Sequence, residues 1–270
     1  MSERLGRADL HIHSLASDGV SSVAEILQRA EQAGLDVVAI TDHERIDAAL
    51  AARAMATARG LRVQVVIGEE VSTRGGHLLG LFLAERIPPW RSLRWTIARV
   101  HEQGGLAIIA HPLVPYPLCA SGRTIRRLVA ERDALYRPDG LEVFNPTTAG
   151  TRWGRRVAAL AQESGLGALG SSDAHRAEDV GQAVTLFAGR TPDELRQAIV
   201  ERATRWQGAP YAFRAQLATF RRQMGKNAQA VRDELRGKLM RDGTGRDLGY
   251  PGGRRRPARL DESQLAGGER

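Results

Sequence analysis

A single cysteine, Cys119, stands in the 270 residues. It has no intrachain partner for a disulfide, and a thiolate cage of the zinc-finger kind is excluded, so any metal must be held by nitrogen and oxygen. Long apolar runs are missing as well. No stretch approaches the roughly 18 residues of a membrane span, and the opening MSERLGRADL lacks the apolar region of a signal peptide. The expectation is a cytoplasmic protein with no membrane partner. Lysine is almost absent, with only Lys226 and Lys238 among 39 basic residues, so an arginine-biased composition accounts for much of the positive charge.

The net charge of +8 invites a nucleic-acid reading, but its distribution argues against it. Residues 205–270 carry 15 of the 39 Lys+Arg and 7 of the 31 Asp+Glu, which leaves 24 of each sign in the rest. The main body is formally neutral and the excess lies in the C-terminal segment. With 42% hydrophobic residues the chain has enough apolar surface for one sizeable core.

From Ala8 to about Ala203, short apolar runs alternate with amphipathic stretches, the pattern of a parallel or mixed sheet flanked by helices. The strand candidates are ADLHIHS, DVVAIT, QVVIGEEVS, HLLGLFL, LAIIAHP, LEVFN, GALGSS and AVTLFAG. Helices are expected at 22–33, 46–58, 92–103, 122–135, 152–164 and 192–203. The last is the best marked: Thr191 caps it, Pro192 fits the first turn and Glu194 completes a capping box. This alternation suits a small α/β barrel, with an open doubly wound sheet as the alternative. The expected domains are residues 1–205 and a basic extension, 206–270, in which a polar helical stretch (213–239) precedes a Gly-, Arg- and Pro-rich tail read as disordered.

The polar residues fall in an informative pattern. His11 and His13 are two apart in a strand candidate, so both imidazoles project from one face. Asp9 is placed on that face too, where it would orient a histidine from behind. Asp18 follows a short loop. His43 closes AITDH, Glu70 sits in GEEVS, His77 opens HLLGLFL, His111 ends LAIIAHP, and Asp173 and His175 follow GALGSS. Six of the seven histidines thus stand at strand ends; His101, in mid-helix, reads as a surface residue. Any one of these is more often structural than functional. Concentrating nine at strand ends demands a compensating partner, because buried unpaired polar groups cost several kcal/mol in total. In a barrel of parallel strands the carboxyl ends share one face, and imidazole with carboxylate suits Zn, Mn or Fe.

The residues DLHIHSLASDG, AITDH, GEEVS, GGHLLGLF, IIAHP and GSSDAH resemble, in order and spacing, the PHP (polymerase and histidinol phosphatase) superfamily over roughly residues 8–203. The run GLGALGSSDAHRAEDVGQAVTLF resembles the associated region that ends many stand-alone members. The resemblance implies a distorted seven-stranded α/β barrel holding two or three divalent metal ions. It implies that His11, His13, Glu70 and Asp173 hold one metal; that Glu70 bridges to a second, held also by His77 and His111; and that Asp18, His43 and His175 hold a third. Glu69 is expected to face away. The implied activity is phosphate-ester hydrolysis, with water activated between two ions as nucleophile. Arg74, Arg123, Arg152 and Arg176 are candidate phosphate contacts, Arg176 first.

The expected partner is a small phosphorylated substrate, a phosphomonoester or nucleotide. The second reading is a nuclease trimming an oligonucleotide from its 5′ end. A non-enzymatic scaffold comes third, and C–N bond hydrolysis by a similar histidine cluster a distant fourth.

Overall fold

Nine strands form one sheet in the computed structural model, which describes residues 5–115 and 118–211. They are β1 (Gly6–Ile12), β2 (Val37–Ile40), β3 (Gln64–Thr73), β4 (Gly76–Leu81), β5 (Leu106–Ile109), β6 (Gly140–Phe144), β7 (Gly167–Gly170), β8 (Ala183–Phe187) and β9 (Arg205–Gly208). The order is β7-β6-β5-β4-β3-β2-β1-β8-β9. The first eight are the eight expected runs. The seven-stranded count is corrected to nine, and the extra strand, β9, spans the expected boundary at 205/206. It pairs antiparallel with β8, and its Trp206 stacks on Phe144 with ring centroids 4.9 Å apart. An exposed RWQG tetrapeptide has no apolar alternation, so no local signal marks it as a strand.

The ends of the sheet approach closure. The segment after β7 pairs with the end of β1: Ala174 bridges Ile12, His13 N donates to Ala174 O at 2.8 Å, and Ala174 N donates to His11 O at 3.2 Å. On the adjoining strand, Thr185 Oγ1 donates to Gly170 O at 2.9 Å and accepts from Gly170 N at 3.2 Å.

Apart from β9, both faces of the sheet are buried, which is why its strands read as nearly continuous apolar runs. Alternate residues divide between two layers. Leu10, Val37, Ala39, Val66, Leu106 and Ile108 belong to an inner cluster. Val38, Ile40, Val65, Ile67, Ala107 and Ile109 face an outer layer of helices. Those helices are α1 (Val23–Gln32), α2 (Asp47–Ala58), α3 (Leu93–Glu102), α4 (Gly122–Val129) and α5 (Thr148–Ser164). α4 ends at Val129, short of the expected 135.

Helix α6 (Pro192–Val200) is built as its sequence dictates, with Thr191 and Glu194 forming a capping box and Pro192 in the first turn. Its Leu195, Ala198 and Ile199 join the inner cluster. Near it, Gln64 Nε2 donates to Arg190 O at 3.3 Å, and a Cβ on Gly167 would lie 3.2 Å from Ile199 O. Gln64 and Gly167 begin β3 and β7, so α6 closes the end of the barrel where the parallel strands start. The other end is left for polar side chains.

The sheet is mixed, one of the two forms expected, and the antiparallel strands change how its ends reach the rim. β4 runs antiparallel to both β3 and β5, and β8 antiparallel to β1. His77 therefore reaches the open rim from the start of its strand, while His43, His111 and Asp173 reach it from the far ends of theirs. The expected helix over 213–239 and the tail lie outside the described residues. No helix among the described residues is long and apolar enough to cross a membrane.

Candidate metal centre

The geometry of β1 explains how two histidines come to share one site. Asp9 pairs with Val38 and Ile12 with Ile40, so Leu10 and His11 together oppose Ala39. This bulge shifts the alternation by one residue. Leu10 stays with the inner cluster, His11 joins His13 at the rim with ring centroids 5.0 Å apart, and Asp9 is left on the other face. The expectation for Asp9 is thereby overturned. Its carboxylate touches no imidazole ring; it accepts from Ser172 N at 3.0 Å and Gly181 N at 2.8 Å, and burial raises its pKa to about 6. It ties the segment after β7 to β1.

All nine expected residues meet at the rim. Glu70, 1% exposed, stands at the centre with its two oxygens turned to different neighbours. Oε1 is 2.7 Å from His77 Nδ1 and 3.0 Å from His111 Nε2. Oε2 is 3.1 Å from His11 Nε2 and 3.2 Å from His13 Nε2, and these two nitrogens also lie 3.4 and 3.3 Å from Asp173 Oδ1. On the third side, Asp18 Oδ2 is 3.1 Å from His175 Nε2 and 3.9 Å from His43 Nε2.

The surrounding chain fixes these positions. Asp42, between β2 and His43, accepts from Ser14 N at 2.7 Å and from the hydroxyls of Ser14 and Ser17, which holds the loop that carries Asp18. His111 and Asp173 adopt left-handed backbone conformations, φ 27° and 52°. Such strain in residues with side chains persists only where the surroundings impose it.

Electrostatics couples the cluster. Burial opposes ionisation of Glu70, yet His77, His11 and His43 outweigh it and hold the carboxyl well below its ordinary range. Burial likewise opposes ionisation of Asp173 and Asp18, and the imidazoles beside them win: His11, His13 and His175 around Asp173, and His13, His175 and His43 around Asp18. Conversely, burial disfavours a charged His13, but Asp18, Asp173 and Glu70 raise it to about 10. At His43 burial prevails and lowers the pKa to about 4. Carboxylates and imidazoles packed this closely need positive charge between them, from protons or from metal cations.

The donor set fits metal ions. His11 Nε2, His13 Nε2 and His77 Nδ1 are buried and make no hydrogen bond, although each lies within 3.2 Å of a Glu70 oxygen. The separation is right for a hydrogen bond and the direction is wrong. Lone pairs that converge on a point between the atoms are what a cation requires. Five groups of three His, Asp or Glu ligand atoms, each within 4.8 Å of one another, occur among the described residues, and all are drawn from these nine.

The structure adds Glu142 and Asn145, which the sequence reading missed. Glu142 Oε1 accepts from His11 Nδ1 at 2.9 Å, and Oε2 accepts from His111 N at 2.8 Å and Asn145 Nδ2 at 3.3 Å. Asn145 Nδ2 also donates to Asp173 Oδ2 at 3.1 Å. A bond on Nδ1 leaves Nε2 of His11 free to ligate. The only local signal is the two polar residues of LEVFN, Glu142 within the apolar run and Asn145 at its end.

Glu69 faces away, as expected, and accepts from Ile87 N at 2.7 Å. Arg176 is less available than expected, since Nε and Nη2 bind Asp179 at 2.9 and 2.7 Å. Arg74, Arg123 and Arg152 are exposed. His101 corrects its reading as a surface residue: it is partly buried and bonded to Leu135 O and Asp139 Oδ2, both at 2.8 Å.

The comparisons with known proteins agree with this geometry. The PHP domain family matches residues 9–116 and the PHP-associated family residues 151–204. An uncharacterized protein of Methanocaldococcus jannaschii is 39% identical over 150 residues, which cover 52% of this chain and 81% of that one. A 5'-3' exoribonuclease of Haemophilus influenzae is 35% identical over 104 residues, 37% of each chain. A solved two-domain protein of Bacteroides vulgatus, described as containing a predicted PHP-like metal-dependent phosphoesterase, matches in fold with a TM-score of 0.62 at 19% identity, over 76% of this chain and 65% of that one. With both family matches falling on the barrel and its closing strands, and the rim residues in place, this chain belongs to the PHP family.

Proposed function

We propose that the protein is a metal-dependent phosphoesterase acting on a small phosphomonoester or nucleotide. The observation that carries this reading is the division of Glu70: one oxygen faces His77 and His111, the other His11, His13 and Asp173 at one remove. One carboxylate between two imidazole sets suits a bridge between two cations. In this assignment His11, His13, Glu70 and Asp173 would hold one ion, Glu70, His77 and His111 a second, and Asp18, His43 and His175 a third. Imidazole and carboxylate ligands favour Zn, Mn or Fe. When bound, such ions lower the pKa of water from about 15.7 to about 7 and polarise phosphoryl oxygens.

The protein's own groups do the rest. The Glu142 carboxylate on His11 Nδ1 and the Asp173 main-chain carbonyl on His175 Nδ1 set which ring nitrogen of each faces inward. His43, the most open of the cluster histidines with its side chain 28% exposed, borders solvent, where a leaving group would depart. Trimming of an oligonucleotide from its 5′ end is the second reading, supported by the similarity to the H. influenzae exoribonuclease.

The test is metal analysis of the purified full chain, followed by a screen of phosphomonoesters, mononucleotides and short oligonucleotides with added Mn, Zn or Fe. Turnover that a chelator abolishes and added metal restores is expected. Absence of metal-dependent turnover on every ester sinks the reading.

A further inference from the structure

Past residue 204, where the match to the PHP-associated family ends, the chain crosses the barrel once more and returns to the metal centre. β1 ends at the rim, β8 runs antiparallel to β1, and β9 runs antiparallel to β8, with Arg205 opposite Leu186 and Gly208 opposite Ala183. β9 therefore climbs back toward the rim. On the way Trp206 stacks on Phe144, and a Cβ on Gly208 would strike the same ring, so only glycine lets the strand pass this close. Ala209 N then donates to Gln182 O at 3.1 Å, and Tyr211 arrives beside the segment that carries Asp173.

Tyr211 grips two separate stretches there. Its hydroxyl donates to Ser172 O at 2.6 Å, and its main-chain nitrogen donates to Pro146 O at 2.9 Å. Both bonds fall next to a group that aims Asp173. Ser172 O belongs to the peptide that ends at Asp173 N, so a partner on that oxygen fixes one of the two planes that set the Asp173 φ of 52°. A residue with a side chain stays in that region only where its surroundings hold it. Pro146 follows Asn145, whose Nδ2 donates to Asp173 Oδ2 at 3.1 Å. Ser172 is buried and bound at two further atoms, N to Asp9 Oδ1 at 3.0 Å and Oγ to His11 O at 3.4 Å. Packing alone would be met by phenylalanine at position 211; it is the phenolic oxygen that reaches the main chain beside Asp173.

We infer that Tyr211 is a positioning residue of the metal centre, clamping the Ser172–Asp173 peptide and the Asn145–Pro146 stretch so that the Asp173 carboxylate stays turned toward His11 and His13. The inference rests on the proposed role of Asp173 as a metal ligand. It makes residues 205–211, outside both family matches, a working part of the centre. Groups behind a ligand are typically worth 10- to 100-fold in metal affinity. Tyr211 acts through the main chain and not on a ligand atom, which places its effect at the lower end.

The test is equilibrium binding of Zn or Mn by the full chain in competition with a chromogenic chelator, for wild type, Tyr211→Phe, Asp173→Asn and the double variant. Tyr211→Phe is expected to weaken binding about tenfold. In the Asp173→Asn background, where the ligand itself is impaired, the same change should cost little more, because its effect passes through Asp173. The thermal midpoint in EDTA, where no metal contributes, should stay within about 4 °C of wild type after Tyr211→Phe.

Metal affinity unchanged by Tyr211→Phe overturns the inference. So does an equal loss in both backgrounds, or a phenylalanine protein that does not fold, since either would make Tyr211 a general structural support. Metal-dependent ester hydrolysis by a wild type whose affinity ignores Tyr211 sinks this inference and spares the phosphoesterase reading. The expected coupling between Tyr211 and Asp173, in a protein that hydrolyses no ester, does the reverse. A wild type that takes up no metal ends both.

Discussion

Glu142 Oε1 accepts a hydrogen bond from His11 Nδ1 at 2.9 Å, joining side chains 131 positions apart in the chain. The other oxygen of the same buried carboxylate holds the backbone nitrogen of His111 at 2.8 Å, where the backbone is strained. One side chain thereby orients an imidazole of one half of the centre and positions the residue that carries an imidazole of the other half.

Glu142→Gln should weaken metal binding roughly 10- to 100-fold, the usual cost of losing a partner behind a ligating histidine. Glutamine has one acceptor oxygen and one NH2, so it can satisfy either His11 Nδ1–H or the His111 amide and must set a donor against the other. Competition with a chromogenic chelator measures the affinity, and circular dichroism checks the fold. Unchanged affinity would remove Glu142 from this role.

His101 ties α3 to the segment before β6 through Asp139, and the pair gives stability a pH dependence. Burial alone would lower the His101 pKa, but the Asp139 hydrogen bond and charge, with the Leu135 carbonyl, raise it above 6.5. A group with a raised folded-state pKa contributes stability that is fully present below its unfolded value and lost as pH rises through the folded one. His101→Gln should therefore cost about 1 kcal/mol in mildly acidic buffer and less at alkaline pH. Urea unfolding of both proteins across that range measures the difference, and a gap that grows with pH contradicts the assignment.

Trp206 tests whether the folded domain continues past residue 205. Its ring stacks on Phe144, and a Cβ on Gly170 would lie 2.9 Å from Trp206 Cβ, so β9 packs against β6 and β7. Trp206→Ala should destabilise the protein by roughly 1–2 kcal/mol. A thermal midpoint equal to that of the wild type would return the boundary to 205.

The sequence by itself determined the strands β1 to β8, the capping box of α6 and the identities of the nine rim residues. These are local matters. Apolar runs follow from burial on both faces of the sheet, caps from orphan helix N–H groups, and His, Asp and Glu at strand ends betray a polar rim because buried polar atoms need partners. Only the tertiary structure decided how those residues combine. The bulge that turns Asp9 away from His11 depends on the register against β2, and Glu142 acquires its role from His11 and His111, neither of which is near it in sequence. His77 reaches the rim because β4 runs against its neighbours, and Arg176 is taken up by Asp179 through a turn that composition does not reveal. Side-chain period is written in a strand's own residues; register, strand direction and the pairing of distant carboxylates and imidazoles are set between strands, where no single segment of sequence carries the information.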